Sequence, residues 1–146
     1  MDPLHYFAVK VARLRNNSSL SWEKKILKHF IGCPEIVQCL GSELEYAAGG
    51  TLTDLIEQRK KLSENEVKEY LKMILKGLSC IHRKGFVHAD LKPANILAFP
   101  QNNGKMKLKI ADFGISRRCG EKHEVDEYLD DSFSKLFKRN TILYVT

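Results

Sequence analysis

His88-Ala89-Asp90-Leu91-Lys92-Pro93-Ala94-Asn95, followed further on by Asp112-Phe113-Gly114, is the stretch of this 146-residue sequence that decides how the rest is read. The first part offers a carboxylate on Asp90 able to accept a hydroxyl proton and a cation on Lys92 able to meet a moving anionic group. It also offers an amide on Asn95 able to hold a hard metal ion. The second part offers another metal-binding carboxylate, Asp112, on a turn containing Gly114. A single Asp-Phe-Gly triplet says little. Two ordered elements at this separation, each supplying parts that a phosphoryl-transfer site needs, say much more.

Around that stretch the composition is ordinary for a domain with a core. Hydrophobic residues make up 43% and charged residues 29%, enough of both for an apolar interior under a solvated surface. Lysine and arginine number 24 against 18 acids, a net charge of +6. These basic residues are scattered, mixed with acids and not interleaved with aromatics, so nucleic-acid binding is not indicated. Cys33, Cys39, Cys80 and Cys119 contain no Cys-x-x-Cys pair, and reduced thiols fit better than disulfides or a zinc site. His82 and His88 lack a ligand pattern around them, which argues against a histidine metal site. No apolar run approaches the ~20 residues that cross a bilayer, so no membrane segment is expected. No charged head followed by an apolar stretch marks the N-terminus for secretion. The expected address is the cytoplasm, with the nucleus as a second compartment.

Outward from the central stretch, Tyr6 to Ala12 reads as a buried strand interrupted by one charge, Lys10. A helix is predicted from Leu20 to Phe30, with Glu23, Leu27 and Phe30 on one face. An acid on an apolar face is costly unless paired, and Lys10 is the candidate partner. Two short strands, Ile36 to Leu40 and Glu43 to Ala47, are separated only by Gly41-Ser42. Thr51 with Asp54 resembles a capped helix start. Ser63 with Glu66 forms a capping box ahead of the stripe Val67, Tyr70, Leu71, Ile74, Leu75, Leu78 and Ile81, which predicts a helix to Arg83 with that stripe in the core. Ile96 to Phe99 and Lys105 to Ala111 predict a hairpin whose second strand alternates apolar and basic residues, one face buried. From Ser116 onward an acidic, aperiodic stretch reads as a loop.

Lys10, Glu23, the Asp90 loop and Asp112-Phe113-Gly114 come in the order found in eukaryotic protein kinases, and the sequence resembles that family across nearly its whole length. Lys92-Pro93-Ala94-Asn95 is similar to the serine/threonine class. Leu44-Glu45-Tyr46-Ala47-Ala48-Gly49-Gly50 looks closest to plant-type MAP kinase kinase kinases. The resemblance implies an α+β, incomplete two-lobe fold: a small β-rich N-lobe remnant over residues 5–47 and the first part of a helical C-lobe over 48–146. It implies ATP and Mg²⁺ as cofactors and a protein hydroxyl as acceptor, with a MAP kinase kinase as one candidate substrate. Lys10 would then reach the α- and β-phosphates with Glu23 holding it in place. Asp112 and Asn95 would bind Mg²⁺, Asp90 would accept the substrate proton, and Lys92 would offset charge on the γ-phosphate. Adenine would lie between Ala8 and Leu97, with backbone groups of Glu45 and Ala47 reading its edge. His88 and Phe113 would pack in the core.

Several departures from the family pattern bear on that reading. Ala89 stands where most such kinases carry an arginine that pairs with an activation-loop phosphate, a role alanine lacks. Lys138-Arg139-Asn140-Thr141 resembles the end of an activation loop, which makes Thr141 a candidate phosphate acceptor. No Gly-rich loop precedes Tyr6, the Gly41-Ser42 junction is short for the family, and Thr146 comes before any Ala-Pro-Glu-like motif. A truncated kinase with an open sheet edge beside Lys10 is therefore expected. Two functions are carried forward. One is a serine/threonine protein kinase moving the ATP γ-phosphate to a protein hydroxyl within a MAP kinase cascade. The other is a catalytically impaired, pseudokinase-like binding module.

Overall fold

A computed structural model of the chain describes residues 7–11, 17–41, 43–120 and 141–145. Phe-Ala-Val-Lys-Val, rich in β-branched and aromatic residues, forms strand β1 (Phe7–Val11). Helix α1 follows (Asn17–Lys28), with Lys25 and Lys28 in its last turn, where cations suit the carbonyl end. It starts three residues earlier than predicted and stops short of Phe30. Strands β2 (Cys39–Leu40) and β3 (Glu43–Glu45) are shorter than the sequence suggests. Ile36 makes only an isolated parallel bridge to Ile110. Helices α2 (Leu52–Arg59) and α3 (Glu64–Arg83) begin at the predicted capped start on Thr51 and the predicted capping box on Ser63, and both starts form full capping boxes. Strand β4 (Phe86–Val87), a 3-10 turn (Pro93–Asn95), strands β5 (Ile96–Pro100), β6 (Met106–Ile110), β7 (Arg117–Arg118) and β8 (Thr141–Val145) complete the described order.

Four strands form one sheet in the order β2-β3-β1-β8, and two antiparallel pairs, β4-β7 and β5-β6, lie apart from it. The sheet edge expected to be open beside Lys10 is paired. Strand β8 runs antiparallel along the whole of β1, Phe7 opposite Val145 and Val11 opposite Thr141. An edge strand presents a row of unpaired N–H and C=O groups, and a second strand satisfies them. Residues 141–145, which fall within the part of the sequence assigned to the C-lobe (48–146), belong to this first sheet. The activation-loop-like residues 138–140 lie outside the described residues.

Two apolar clusters hold the elements. The first joins Ile26, Leu27 and Phe30 of the α1 region to Cys80 and Ile81 of α3, Ile110 of β6 and Phe113. The second packs Leu52 and Leu55 of α2 with Tyr70, Ile96, Ala98 and Leu108. The predicted core stripe of α3 is corrected here: Tyr70 and Ile81 are buried, but Val67, Leu71 and Leu75 are exposed. Gly77 shows why. A Cβ on it would lie 2.8 Å from Ile110 Cδ1 and 3.1 Å from the Glu35 carbonyl oxygen, so α3 approaches its neighbours most closely through its glycine face. The predicted one-sided burial of β6 is also corrected, since Leu108, Lys109 and Ile110 are all buried. Among the cysteines, Cys33 and Cys80 are joined in a disulfide, contrary to the expected set of reduced thiols, while Cys39 and Cys119 are free.

Candidate active site

The Asp90 loop leaves β4 through Ala89, whose φ of +67° is a left-handed conformation unusual for a residue with a Cβ. Pro93 then opens the 3-10 turn, a position where a missing N–H costs nothing. The turn folds Lys92 and Asn95 back onto Asp90. Asp90 Oδ2 accepts from Lys92 Nζ at 2.6 Å and from Asn95 Nδ2 at 2.9 Å, and the same amide donates to the Asp90 carbonyl at 2.8 Å. The Asp112 segment is tied to this loop through backbone, since the Ala111 N–H donates to the Asn95 carbonyl at 2.9 Å. Asp112 itself has φ +63°. Left-handed backbone at two non-glycine residues costs of order 1–3 kcal/mol each and persists only where the surroundings enforce it.

His88 is the enforcing group. It is 2% exposed, accepts from the Asp90 N–H through Nδ1 at 3.3 Å, and places Nε2 2.9 Å from the Ala111 carbonyl. Acceptance at Nδ1 puts the proton on Nε2, so a neutral imidazole bridges the two motif segments. Burial pushes its pKa below the ordinary histidine value, with the Ala111 carbonyl pulling more weakly the other way. A depressed folded-state pKa means that the unfolded chain takes up a proton the folded chain refuses as pH drops below about 6.5. His88 therefore stabilises the fold fully above that pH and progressively less below it. Urea unfolding of the chain and of His88→Gln should show a stability gap that narrows from about pH 7.5 to about pH 5.5, on either side of the ordinary histidine value. A gap that stays constant would contradict the neutral bridge.

Helix α1 grips the Asp112 segment from the other side. Glu23, 4% exposed, accepts from the Phe113 N–H at 3.1 Å through Oε1, and Trp22 Nε1 donates to the Ser116 carbonyl at 2.8 Å. Phe113 is fully buried, with ring centroids 5.3 Å from Phe30 and 4.8 Å from His88. Lys10 lies on β1 opposite Ile142; its side chain falls outside the described residues, so its pairing with Glu23 does too.

The residues assigned to the adenine pocket are distributed as follows. Ala8 is buried in β1 opposite Leu44, and half-buried Leu97 lies in β5 opposite Lys109. The Glu45 N–H is committed to the Gln38 carbonyl at 3.2 Å, and the Ala47 carbonyl accepts from Gly50 N–H at 3.0 Å. Sequence reasoning missed the Glu45 side chain. Its Oε2 accepts from Lys109 Nζ at 2.6 Å and from the Gln38 N–H at 2.8 Å. The signal was present: the requirement that a lysine between apolar residues find a partner applies to Lys109 between Leu108 and Ile110 as much as to Lys10.

Among the described residues no three His, Cys, Asp or Glu side chains cluster as a metal cage. The donors at hand, one carboxylate on Asp112 and one amide oxygen on Asn95, suit Mg²⁺, which binds through one or two carboxylates and keeps waters and substrate phosphates as its other ligands. No described helix is long and apolar enough to cross a membrane.

The model of the protein kinase domain matches residues 4–134. Mitogen-activated protein kinase kinase kinase 20 of Arabidopsis thaliana is 39% identical over 126 residues, covering 76% of this chain and 36% of that protein. Mitogen-activated protein kinase kinase kinase YODA of the same plant is 38% identical over 91 residues, 56% of this chain and 10% of the relative. Serine/threonine-protein kinase nekl-2 of Caenorhabditis elegans is 40% identical over 92 residues, 57% and 25% respectively. The chain thus spans little more than a third of the longest-covered of these relatives. With the kinase model matched over all but the ends, and the Asp90 and Asp112 segments locked together by His88, the chain belongs to the protein kinase family.

Proposed function

We propose that this chain is a serine/threonine protein kinase module that transfers the γ-phosphate of ATP to a protein hydroxyl. The observation that carries the reading is the Asp90 carboxylate, held by Lys92 and Asn95 on a loop whose backbone is bonded to the Asp112 segment. Held in this way, Asp90 can orient an incoming hydroxyl and accept its proton, the positioning that dominates a reaction with a loose transition state. Lys92 stands beside it as a cation for charge building on the transferred group. Asp112 and Asn95 would hold Mg²⁺, which when bound neutralises phosphate charge and aligns the phosphate chain. Because the Glu45 N–H is already committed, adenine would be read by the Glu45 carbonyl and the Ala47 N–H. The names of the two plant relatives make a MAP kinase kinase the candidate acceptor, and a MAP kinase cascade the setting.

Asp112→Asn tests the metal assignment. Asparagine tolerates the left-handed backbone of this position, so the variant removes charge without adding strain. Wild-type chain with ATP and Mg²⁺ should show a rise in melting temperature that disappears without Mg²⁺ and in Asp112→Asn. An equal, metal-dependent rise in both proteins would refute the role given to Asp112.

A further inference from the structure

The Cys33–Cys80 pair is used by nothing in the mechanism above, and it lies at a junction that matters. Cys80 is 7% exposed on α3, one turn beyond Gly77, where the helix backbone presses on the Glu35 carbonyl and on Ile110. Cys33 is half-buried in the loop that continues α1. That loop is stiff. Gln38 Nε2 donates to the carbonyls of Phe30, Cys33 and Ile36 at 3.3, 3.1 and 2.9 Å, while Gln38 Oε1 accepts from the Gly32 N–H at 3.1 Å. A bond from Cys33 to Cys80 therefore fixes the end of α1 to α3, closing a span of 47 residues. The same helix α1 carries Glu23 and Trp22, which hold the Phe113 N–H and the Ser116 carbonyl.

We propose that Cys33 and Cys80 form a reversible thiol–disulfide site whose oxidation locks α1 onto α3 and so fixes the grip of α1 on the Asp112-Phe113-Gly114 segment. The co-reactant is a small-molecule disulfide of the glutathione class. The half-exposed Cys33 thiolate attacks one sulfur of that disulfide, breaking its S–S bond and releasing one thiolate. The Cys80 sulfur, having lost its proton to solvent, then attacks Cys33 in the mixed disulfide and expels the second thiolate. Two protein thiols become one protein disulfide, and one external disulfide becomes two thiols. In a reducing compartment a bond of this kind is transient and serves to sense or switch rather than to staple permanently. Closing a long loop restricts the unfolded chain most, so the oxidised form is the more stable. The bridge bears on phosphoryl transfer only if the functional reading above holds. Thiol state and amide exchange are read without nucleotide, so failure of the kinase reading would leave them standing.

The experiment compares the wild-type chain in two redox states, which needs no variant to fold. After equilibration with oxidised glutathione, alkylation of the denatured chain should label two cysteines, Cys39 and Cys119, and non-reducing peptide mapping should recover a Cys33–Cys80 cross-link. After dithiothreitol all four should label. Oxidation should raise the melting temperature by about 5–15 °C. It should slow hydrogen exchange of the Phe113 amide by about tenfold or more, with a smaller effect on amides of α2 in the other core. Cys33→Ala should abolish both responses. Four labelled cysteines after oxidation, or a cross-link between other cysteines, would overturn the site. A Cys33–Cys80 cross-link that leaves Phe113 exchange no slower than that of α2 would overturn its coupling to the Asp112 segment.

Discussion

Replacing Asp90 with asparagine is expected to cut phosphate transfer from ATP to a protein acceptor by about 10²–10⁴-fold, the contribution of a positioned proton acceptor. The substitution is nearly isosteric. Lys92 Nζ and Asn95 Nδ2 both donate to Asp90 Oδ2, and the carboxamide oxygen of asparagine can accept either bond. Loop geometry and stability should therefore change little, and what is lost is the capacity to take a proton together with the charge that faces Lys92. The measurement is radiolabelled transfer to a generic protein substrate, run beside the nucleotide-induced rise in melting temperature. Transfer should collapse while the nucleotide response survives, because Asp112 and Asn95 are untouched. Transfer by the variant at the wild-type rate would remove Asp90 from the chemistry. Equal background in both proteins, with nucleotide still bound, would turn the chain into a binding module.

Much of this site could be read from the sequence because its parts sit in short, locally determined units. Asp90, Lys92 and Asn95 are brought together by one 3-10 turn that Pro93 opens, and local turns follow local residue types. The capping boxes at Thr51 and Ser63 were legible for the same reason, since a cap is a contact across three residues. What stayed hidden depends on contacts distant in sequence. The grip of Trp22 on Ser116 spans 94 positions. The β1–β8 pairing joins residues at opposite ends of the described chain. The α3 stripe misled because helical periodicity gives the apolar face without saying which part of it a neighbour covers. Gly77, invisible to a hydrophobicity pattern, marks the face of closest approach. The disulfide escaped because cysteine spacing carries no record of which pairs meet in space.

The largest effect on stability is expected from the Glu45–Lys109 pair, which links β3 to β6. Lys109 retains 9% of its side-chain exposure and Glu45 27%, so the cation is the more deeply desolvated partner. The Lys109 ammonium also lies 4.9 Å from the centroid of the Phe99 ring, a favourable but much weaker neighbour. Glu45→Gln keeps an oxygen for the Gln38 N–H yet strips the counter-charge from a buried ammonium. Breaking a buried pair from one side costs about 3–5 kcal/mol, and the retained amide contact puts this variant at the lower end. Lys109→Met should cost less, about 1 kcal/mol, because Glu45 is open enough to rehydrate and still holds the Gln38 N–H. The double variant leaves no unpaired charge, so it should be more stable than Glu45→Gln alone, with a coupling energy of about 1–3 kcal/mol. Urea denaturation of the four proteins completes the cycle. Because the Lys109 end of the pair is nearly buried, the coupling should differ little between low and high salt. A coupling near zero, or one that salt erases, would mean that Lys109 reaches water and that the two strands are held together by their apolar neighbours alone.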